Sequence, residues 1–355
     1  MLTLLPSETR DGVPWAGRVR YLRWFYWRGV FVLHWLRVWR RRLLGPPAPG
    51  SRAYARHLAE EQKHFTALHD SAALSGNLME PAPPVWEEAL RRADARVARI
   101  TGKGMIEHVV SRLSARADAR FLSLGSGPGG LEILIAQERP EASYTCLDVN
   151  PAVLALGDRR ARELGLHMEF READLNTARL EPNAYDVIFC HAALHHLIAL
   201  EHIFSEIRRS LRPEGVFIVC DIITRNGYKM WPETKKVVQA IWKTLPAPYR
   251  CNHAAGRRRR IEDRVWEPDT RSGGMECIRS EEILGLLRVQ FQELCFVPQM
   301  ALARYFFDSS FGPNYDLNRP LDRAIFDWIW ALDEYYLREG KLRPTSFFGI
   351  YAAKD

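Results

Sequence analysis

No stretch of this chain is both long and apolar enough to cross a bilayer. The nearest candidate, Tyr21 to Leu44, has thirteen residues between Arg23 and Arg37, interrupted by Arg28 and His34, whereas a span needs about 20. Arg37, Arg40, Arg41 and Arg42 follow where a secretory signal would place small residues for cleavage, so such a signal is disfavoured. The six cysteines (Cys146, Cys190, Cys220, Cys251, Cys277 and Cys295) include no C-x-x-C pair and no zinc-finger spacing. Most fall in apolar runs and read as reduced core residues of a cytosolic protein. Cys251 and His253 with Cys277 lack a fourth ligand and a compact spacing, and no metal is expected. Most of the chain also lacks net charge. Of the formal +7, all is held by residues 1–50, where nine arginines face only Glu8 and Asp11; the remaining 305 residues carry 41 basic and 41 acidic groups. A uniformly basic nucleic-acid-binding surface is therefore not implied, and no nucleic-acid partner is expected. The run Arg257 to Arg260 has no interleaved aromatics and reads as a solvated loop. At 47% hydrophobic and 26% charged, the 355 residues are ordinary globular material.

What is present divides the chain into four parts. Residues 1–50 form a basic aromatic segment and a Pro-rich linker, with Trp24, Trp27, Trp35 and Trp39 concentrated in residues 21–44. Arginine plus tryptophan suits the headgroup layer of a membrane, so a peripheral contact with its inner face is one expectation; a helix docked on the protein's own body is the other. Residues 51–118 read as a helical extension or lid, with a helix near Ala53 to Ala73 and another from Val85 onward. From Phe121 the pattern changes. Phe121–Leu124, Tyr144–Val149, Met168–Ala173, Tyr185–Cys190 and Gly215–Asp221 are short apolar runs separated by helical stretches, the alternation of a doubly wound parallel α/β sheet. Asn150 caps a helix with Pro151 at its first position, and Ile203, Phe204, Ile207 and Leu211 make one apolar stripe. This core covers residues 119–225. Residues 226–355 read as a helical cap insertion followed by the last two strands, 291–300 and 345–354, with Leu321, Ile325, Trp328, Ile329, Leu332 and Tyr336 as the inner face of a covering helix. The insertion and the N-terminal helices are expected to roof the acceptor pocket, and the insertion's tryptophans suggest an apolar or ring-containing acceptor.

The chemistry begins after the first strand. In FLSLGSGPGG, Gly125, Gly127, Gly129 and Gly130 remove side chains where a ligand must approach backbone closely. Gly125-x-Gly127-x-x-Gly130 is also the dinucleotide fingerprint, so the turn alone leaves a nicotinamide-dependent oxidoreductase open. Asp148 ends the second strand, where a carboxylate accepts from both ribose hydroxyls. Asp174 follows the third, where one can accept from an adenine amino group.

The series LSLGSGPGG, CLDVNP, READL, YDVIFCHAALHHL, RSLRPEG and VFIVCDI, over about residues 120 to 225, resembles the ordered motifs of class I S-adenosylmethionine (SAM) methyltransferases of the small-molecule type, including those of natural-product and ubiquinone biosynthesis. The resemblance implies a Rossmann-like, seven-stranded, mostly parallel sheet. It places Gly125, Gly127 and Gly129 under the methionine part of SAM, Asp148 at the ribose, Asp174 at the adenine and His191 near the methionine end, with Ser126, Val149 and Leu175 as neighbouring contacts. It also matches His195, His196 and Asp221 to an acceptor-side His-His pair and Asp. A histidine near neutral pKa, oriented by Asp221, suits removal of a hydroxyl proton. Cys190-His191-Ala192-Ala193 stands where nucleic-acid amino methyltransferases carry Asn/Asp-Pro-Pro-Tyr, and no Pro-Cys nucleophile occurs, which disfavours base methylation. The expectation is O-methylation of a small-molecule or lipid-linked acceptor. The rivals are the oxidoreductase, an N-methyltransferase of a small molecule, and a membrane-associated binding protein with a vestigial cofactor site.

Overall fold

Successive residues along each short run face opposite sides of a sheet and residues two apart share a side, and here both sides are covered. In β1 (Arg120–Leu124) and β4 (Tyr185–His191), Leu122, Leu124 and Ile188 join one hydrophobic core while Phe121, Val187 and Phe189 join another. In the computed structural model, which describes residues 46–73, 82–254, 260–265, 267, 270 and 274–354, these strands belong to a single seven-stranded sheet. Its other members are β2 (Ser143–Asp148), β3 (Met168–Glu172), β5 (Leu211–Ile222), β6 (Phe291–Met300) and β7 (Ser346–Ala353). The order is β3-β2-β1-β4-β5-β7-β6; β1 to β5 run parallel, and β7 lies antiparallel between β5 and β6. This is the doubly wound, mostly parallel sheet expected from the spacing. The order turns back between β1 and β4, so a crevice opens outside their carboxyl ends, where open α/β sheets bind ligands. Residues 48–355 form one compact unit. The basic aromatic segment 21–44 and Arg257 to Arg259 lie outside the described residues.

Local chemistry sets the helix ends that matter. The longer helices are α1 (Arg52–Ala73), α2 (Pro84–Thr101), α3 (Met105–Leu113), α4 (Gly130–Glu138), α5 (Pro151–Glu163), α6 (Leu200–Ser210), α7 (Pro232–Thr244), α8 (Ile283–Gln290) and α9 (Pro320–Arg338). Asn150 Oδ1 accepts from Ala152 N at 3.1 Å, with Pro151 at the first position of α5, as expected. The stripe Ile203, Phe204, Ile207 is buried on α6, but Leu211 begins β5 instead of ending the helix. The strand starts four residues before the expected Gly215 because Leu211 already pairs with Tyr185, after which the register shifts.

The inner face of α9 matches the expectation at Ile325, Ile329, Leu332 and Tyr336, which lie in or pack against the cap core, and differs from it at Leu321 and Trp328. Leu321 and Trp328 are 63% and 44% exposed; the buried face consists of Asp322, Phe326, Ile329, Trp330, Asp333 and Leu337. Hydrophobic periodicity missed part of this face because two of its members are acids with internal partners. Asp333 Oδ1 accepts from Ala301 N, Leu302 N and Ala303 N at 2.9, 2.6 and 2.7 Å, and Asp322 accepts from Asp316 N and the Tyr249 hydroxyl. A carboxylate so satisfied can be buried without the cost of an orphaned charge. The same cap core holds Trp242, Phe306, Phe307, Phe326 and Trp330, and so buries a tryptophan that the sequence pattern assigns to the acceptor pocket.

Candidate active site

The crevice contains a cavity of about 250 Å³. Its floor is the glycine turn. Gly125 N and Ser126 N donate to Leu147 O at 2.8 and 3.0 Å, which ties the turn to the end of β2. Gly125 has φ +68°, and a Cβ there would stand 2.4 Å from the Ala193 Cβ, so only glycine lets the turn pass beneath the loop after β4. A Cβ on Gly127 would meet nothing within 4 Å and would project into open space. Asp148 accepts from Gly127 N and Asn150 N, both at 2.9 Å, which holds its carboxylate at the cavity edge, and burial pushes its pKa up. Of the expected cofactor residues, Gly125, Ser126, Gly127, Asp148, Val149, Asp174, Leu175 and His191 all line the cavity. Gly129 does not. Its Cβ would fall 2.8 Å from the Phe170 ring of β3, so this glycine serves the packing of turn against strand, and Gly130 lines the cavity instead.

One wall comes from α1, whose partners in the cavity cannot be read from local spacing. Leu58, Glu61, Gln62, Phe65 and His69 all line it. Gln62 Nε2 donates to Val149 O at 2.7 Å, and Asn150 Nδ2 donates to Gln62 O and Thr66 Oγ1, each at 3.0 Å. The Tyr54 hydroxyl reaches both carboxylate oxygens of Asp174 at 2.7 Å, while Asn176 N donates to Asp174 Oδ1 at 2.9 Å. Burial and the Asp174 carboxylate push the Tyr54 phenol up, so it remains a donor. The carboxylate expected at the adenine is thus also the latch that holds α1 over the crevice.

On the other side, the two histidines occupy different places. His195 is buried behind the wall. Its Nδ1 lies 2.6 Å from Asp221 Oδ1, and Asp221 also accepts from Ala193 N, Leu194 N and Ile222 N at 3.0, 2.8 and 2.6 Å. His196 lines the cavity, its ring edge-on to Phe65 with centroids 5.7 Å apart. His196 Nδ1 is 2.8 Å from Glu61 Oε1, an ion-pair distance without hydrogen-bond alignment. Glu276 bridges the two rings, 3.5 Å from His195 Nε2 and 3.3 Å from His196 Nε2. Two non-glycine residues beside this cluster, Ala192 (φ +54°) and Cys277 (φ +51°), hold left-handed backbone, a strain that aims their neighbours.

The electrostatics follow from these contacts. Burial opposes charge on His195, but Asp221 and Glu276 prevail and its pKa is pushed up to about 10. Burial and the adjacent His195 oppose charge on His196, while Glu61 and Glu276 raise its pKa above the ordinary value. Burial would raise Asp221 and Glu276, yet the histidines hold both below the usual carboxylate range. The sequence pattern suggests a histidine near neutrality; Asp221 together with the two added carboxylates, Glu61 and Glu276, moves both upward. His195, His196 and Glu276 also offer ligand atoms within 4.8 Å of one another, the only such group among the described residues. Cys251, His253 and Cys277 are not gathered in this way; His253 Nε2 bonds Asn314 Oδ1 at 2.9 Å. Trp231 and Trp242 do not line the cavity.

The glycine floor, the Asp148 carboxylate and the apolar faces of Val149, Val153 and Leu175 fit a cofactor that joins a ribose to an aromatic base and a small charged tail. Residues 115–260 match the family model described as a methyltransferase domain. Over this region the chain is similar to a sterol 4-C-methyltransferase of Caenorhabditis elegans, with 28% identity over 34% of this chain and 36% of the relative. It is 28% identical to a demethylmenaquinone methyltransferase of Thermus thermophilus over 30% of this chain and 48% of the relative. It is 32% identical to a malonyl-acyl-carrier-protein O-methyltransferase of Geobacter sulfurreducens, over 32% and 43%. The chain thus spans less than half the length of these relatives. Fold, cavity and family model agree that residues 115–260 are a class I SAM-dependent methyltransferase domain, with SAM as its cofactor.

Proposed function

We propose that the protein transfers the methyl group of SAM to an oxygen of a small-molecule or lipid-linked acceptor, with His196 the group that receives the acceptor's proton. The placement of His196 on the cavity wall, with His195 and Asp221 behind it, carries this reading. SAM supplies an activated sulfonium methyl group, so the protein's share is alignment, exclusion of water and removal of one proton. His196 is within reach of a hydroxyl in the cavity, and Glu276 and Glu61 stabilise the imidazolium it becomes. His195, held by Asp221 and Glu276, is a positioning residue that fixes the neighbouring ring, the centroids being 4.2 Å apart. Leu58, Phe65, Leu197 and Met275 give the cavity an apolar wall that suits an apolar acceptor. The sterol and demethylmenaquinone named in two relatives accord with such an acceptor, and the O-methyltransferase named in the third with oxygen as the atom.

With purified protein and an acceptor found by mass spectrometry as a +CH₂ product in cell extract, His196→Ala should lower kcat by about 10²- to 10⁴-fold and leave the SAM dissociation constant within about threefold. The wild-type rate should rise as pH climbs above about 6.5, since a raised pKa keeps His196 protonated to higher pH. If His195→Ala and His196→Ala both keep wild-type rates from about pH 6 to 9, the base role is wrong.

The six arginines and four tryptophans of residues 21–44 support a peripheral contact with an anionic membrane surface. No helix among the described residues is long and apolar enough to cross a membrane. Each arginine near such a surface contributes about 1 kcal/mol that salt screens. Removal of residues 1–45 should abolish co-sedimentation with phosphatidylserine-containing vesicles and spare SAM binding, because the expected cofactor residues all lie beyond Leu124. A full-length protein that ignores such vesicles at low salt would end the membrane reading.

A further inference from the structure

One buried acid in the cavity has no use in the chemistry above. Glu132 stands in the first turn of α4, directly after the glycine turn. It is 3% exposed and lines the cavity. Ser123 Oγ of β1 donates to its Oε1 at 2.6 Å, the single side-chain hydrogen bond to Glu132 among the described residues. Among the described residues, no cation is among the groups that act on it. Burial raises its pKa to about 7, Ser123 and the backbone N–H of the helix start oppose that, and the charge of Asp148 adds to it. Among the described residues, Cys146 of β2 and Cys190 of β4 feel its charge, and neither is basic.

A buried carboxylate that faces a cavity without a counter-ion is expensive unless a ligand supplies the charge. The ligand of this cavity carries two positive groups, a sulfonium and an α-ammonium. An ammonium offers three directed N–H donors to a carboxylate, whereas a sulfonium offers none. The helix start that carries Glu132 also ends the glycine turn, the backbone over which the methionyl part is expected to lie. Resting on the reading of the domain as SAM-dependent, we propose that Glu132 is the counter-ion for the α-ammonium of SAM and of its demethylated product, and that Ser123 orients the carboxylate toward it. The carboxylate is thus a specificity determinant for the amino-acid end of the cofactor, absent from the set legible in the glycine turn itself.

The test uses the full-length protein and three ligands: SAM, S-adenosylhomocysteine and 5′-methylthioadenosine. The last keeps the adenosine and a thioether but has neither the ammonium nor the sulfonium. Glu132→Gln keeps the shape and can still accept from Ser123. By calorimetry it should weaken SAM and S-adenosylhomocysteine alike, by roughly ten- to a hundredfold, and leave 5′-methylthioadenosine within about twofold. Glu132→Asp, which keeps the charge but withdraws it, should give a smaller loss with the same selectivity and covers the case in which the amide variant folds poorly. A loss confined to SAM would assign the carboxylate to the sulfonium and overturn the proposal. Equal losses for all three ligands in both variants, or none, would also overturn it. Wild-type protein that binds neither SAM nor S-adenosylhomocysteine would instead remove the reading on which the proposal rests.

Discussion

Asp148→Ala should weaken SAM binding by roughly ten- to a hundredfold, the loss expected when a charged acceptor worth about 1.5–3 kcal/mol is removed. Two effects act together. The ribose hydroxyls expected at Asp148 lose their carboxylate, and Gly127 N and Asn150 N, which donate to Asp148 at 2.9 Å, lose their acceptor. Gly127 belongs to the turn that floors the cavity and Asn150 caps α5, so the substitution loosens the floor as well as removing a contact. Asp148→Asn should fall between wild type and alanine, since its amide keeps one oxygen that accepts. Calorimetric titration with SAM of both variants checks this; an unchanged affinity in the alanine variant would remove Asp148 from the binding site.

The second large effect concerns stability. Asp221→Ala should lower the unfolding free energy by about 3–5 kcal/mol near neutral pH, because it strands a buried imidazolium and three backbone N–H groups at once. The pH dependence has a definite sign. Asp221 titrates below its ordinary value, so its contribution is present above the unfolded carboxylate pKa near 3.9 and fades as pH falls through the lower folded value. His195 titrates at about 10, so its contribution is present below about 6.5 and fades as pH rises toward 10. The difference between wild type and variant should therefore be widest between about pH 4 and 6.5 and narrow by about pH 10. Urea denaturation at pH 5.5, 7.5 and 9.5 measures it. A gap that widens toward alkaline pH would mean that His195 is not held as an imidazolium.

The sheet was legible because parallel strands buried on both faces leave short apolar runs, and helices between them leave a period of their own. Where a reading depended on which face of a helix was inside, it was less secure. On α9 the buried Asp322 and Asp333 are satisfied by backbone from residues 301–303 and 316 and by Tyr249, and such partners leave no mark in a hydrophobic stripe. Trp242 is a similar case. Its bulk indicated burial, but whether the burial lay in the cap core or the acceptor pocket depended on Phe306 and Phe311, which pack against it.

The sequence by itself determined one side of the cavity, its glycine floor and the acids beside it. Gly125, Gly127, Asp148 and Asp174 lie at ends of adjacent parallel strands, and the sheet carries strand ends to one crevice whatever else surrounds them. Only the tertiary structure decided the opposite side. The Tyr54 hydroxyl meets Asp174 across 120 residues of chain, and Glu61 and Glu276 reach the two histidines from separate segments. The pKa of a histidine depends on the charges packed around it rather than on its neighbours in sequence, so the choice between a buried His195 and a cavity-facing His196 emerged only when α1 and the segment around Cys277 closed over the sheet.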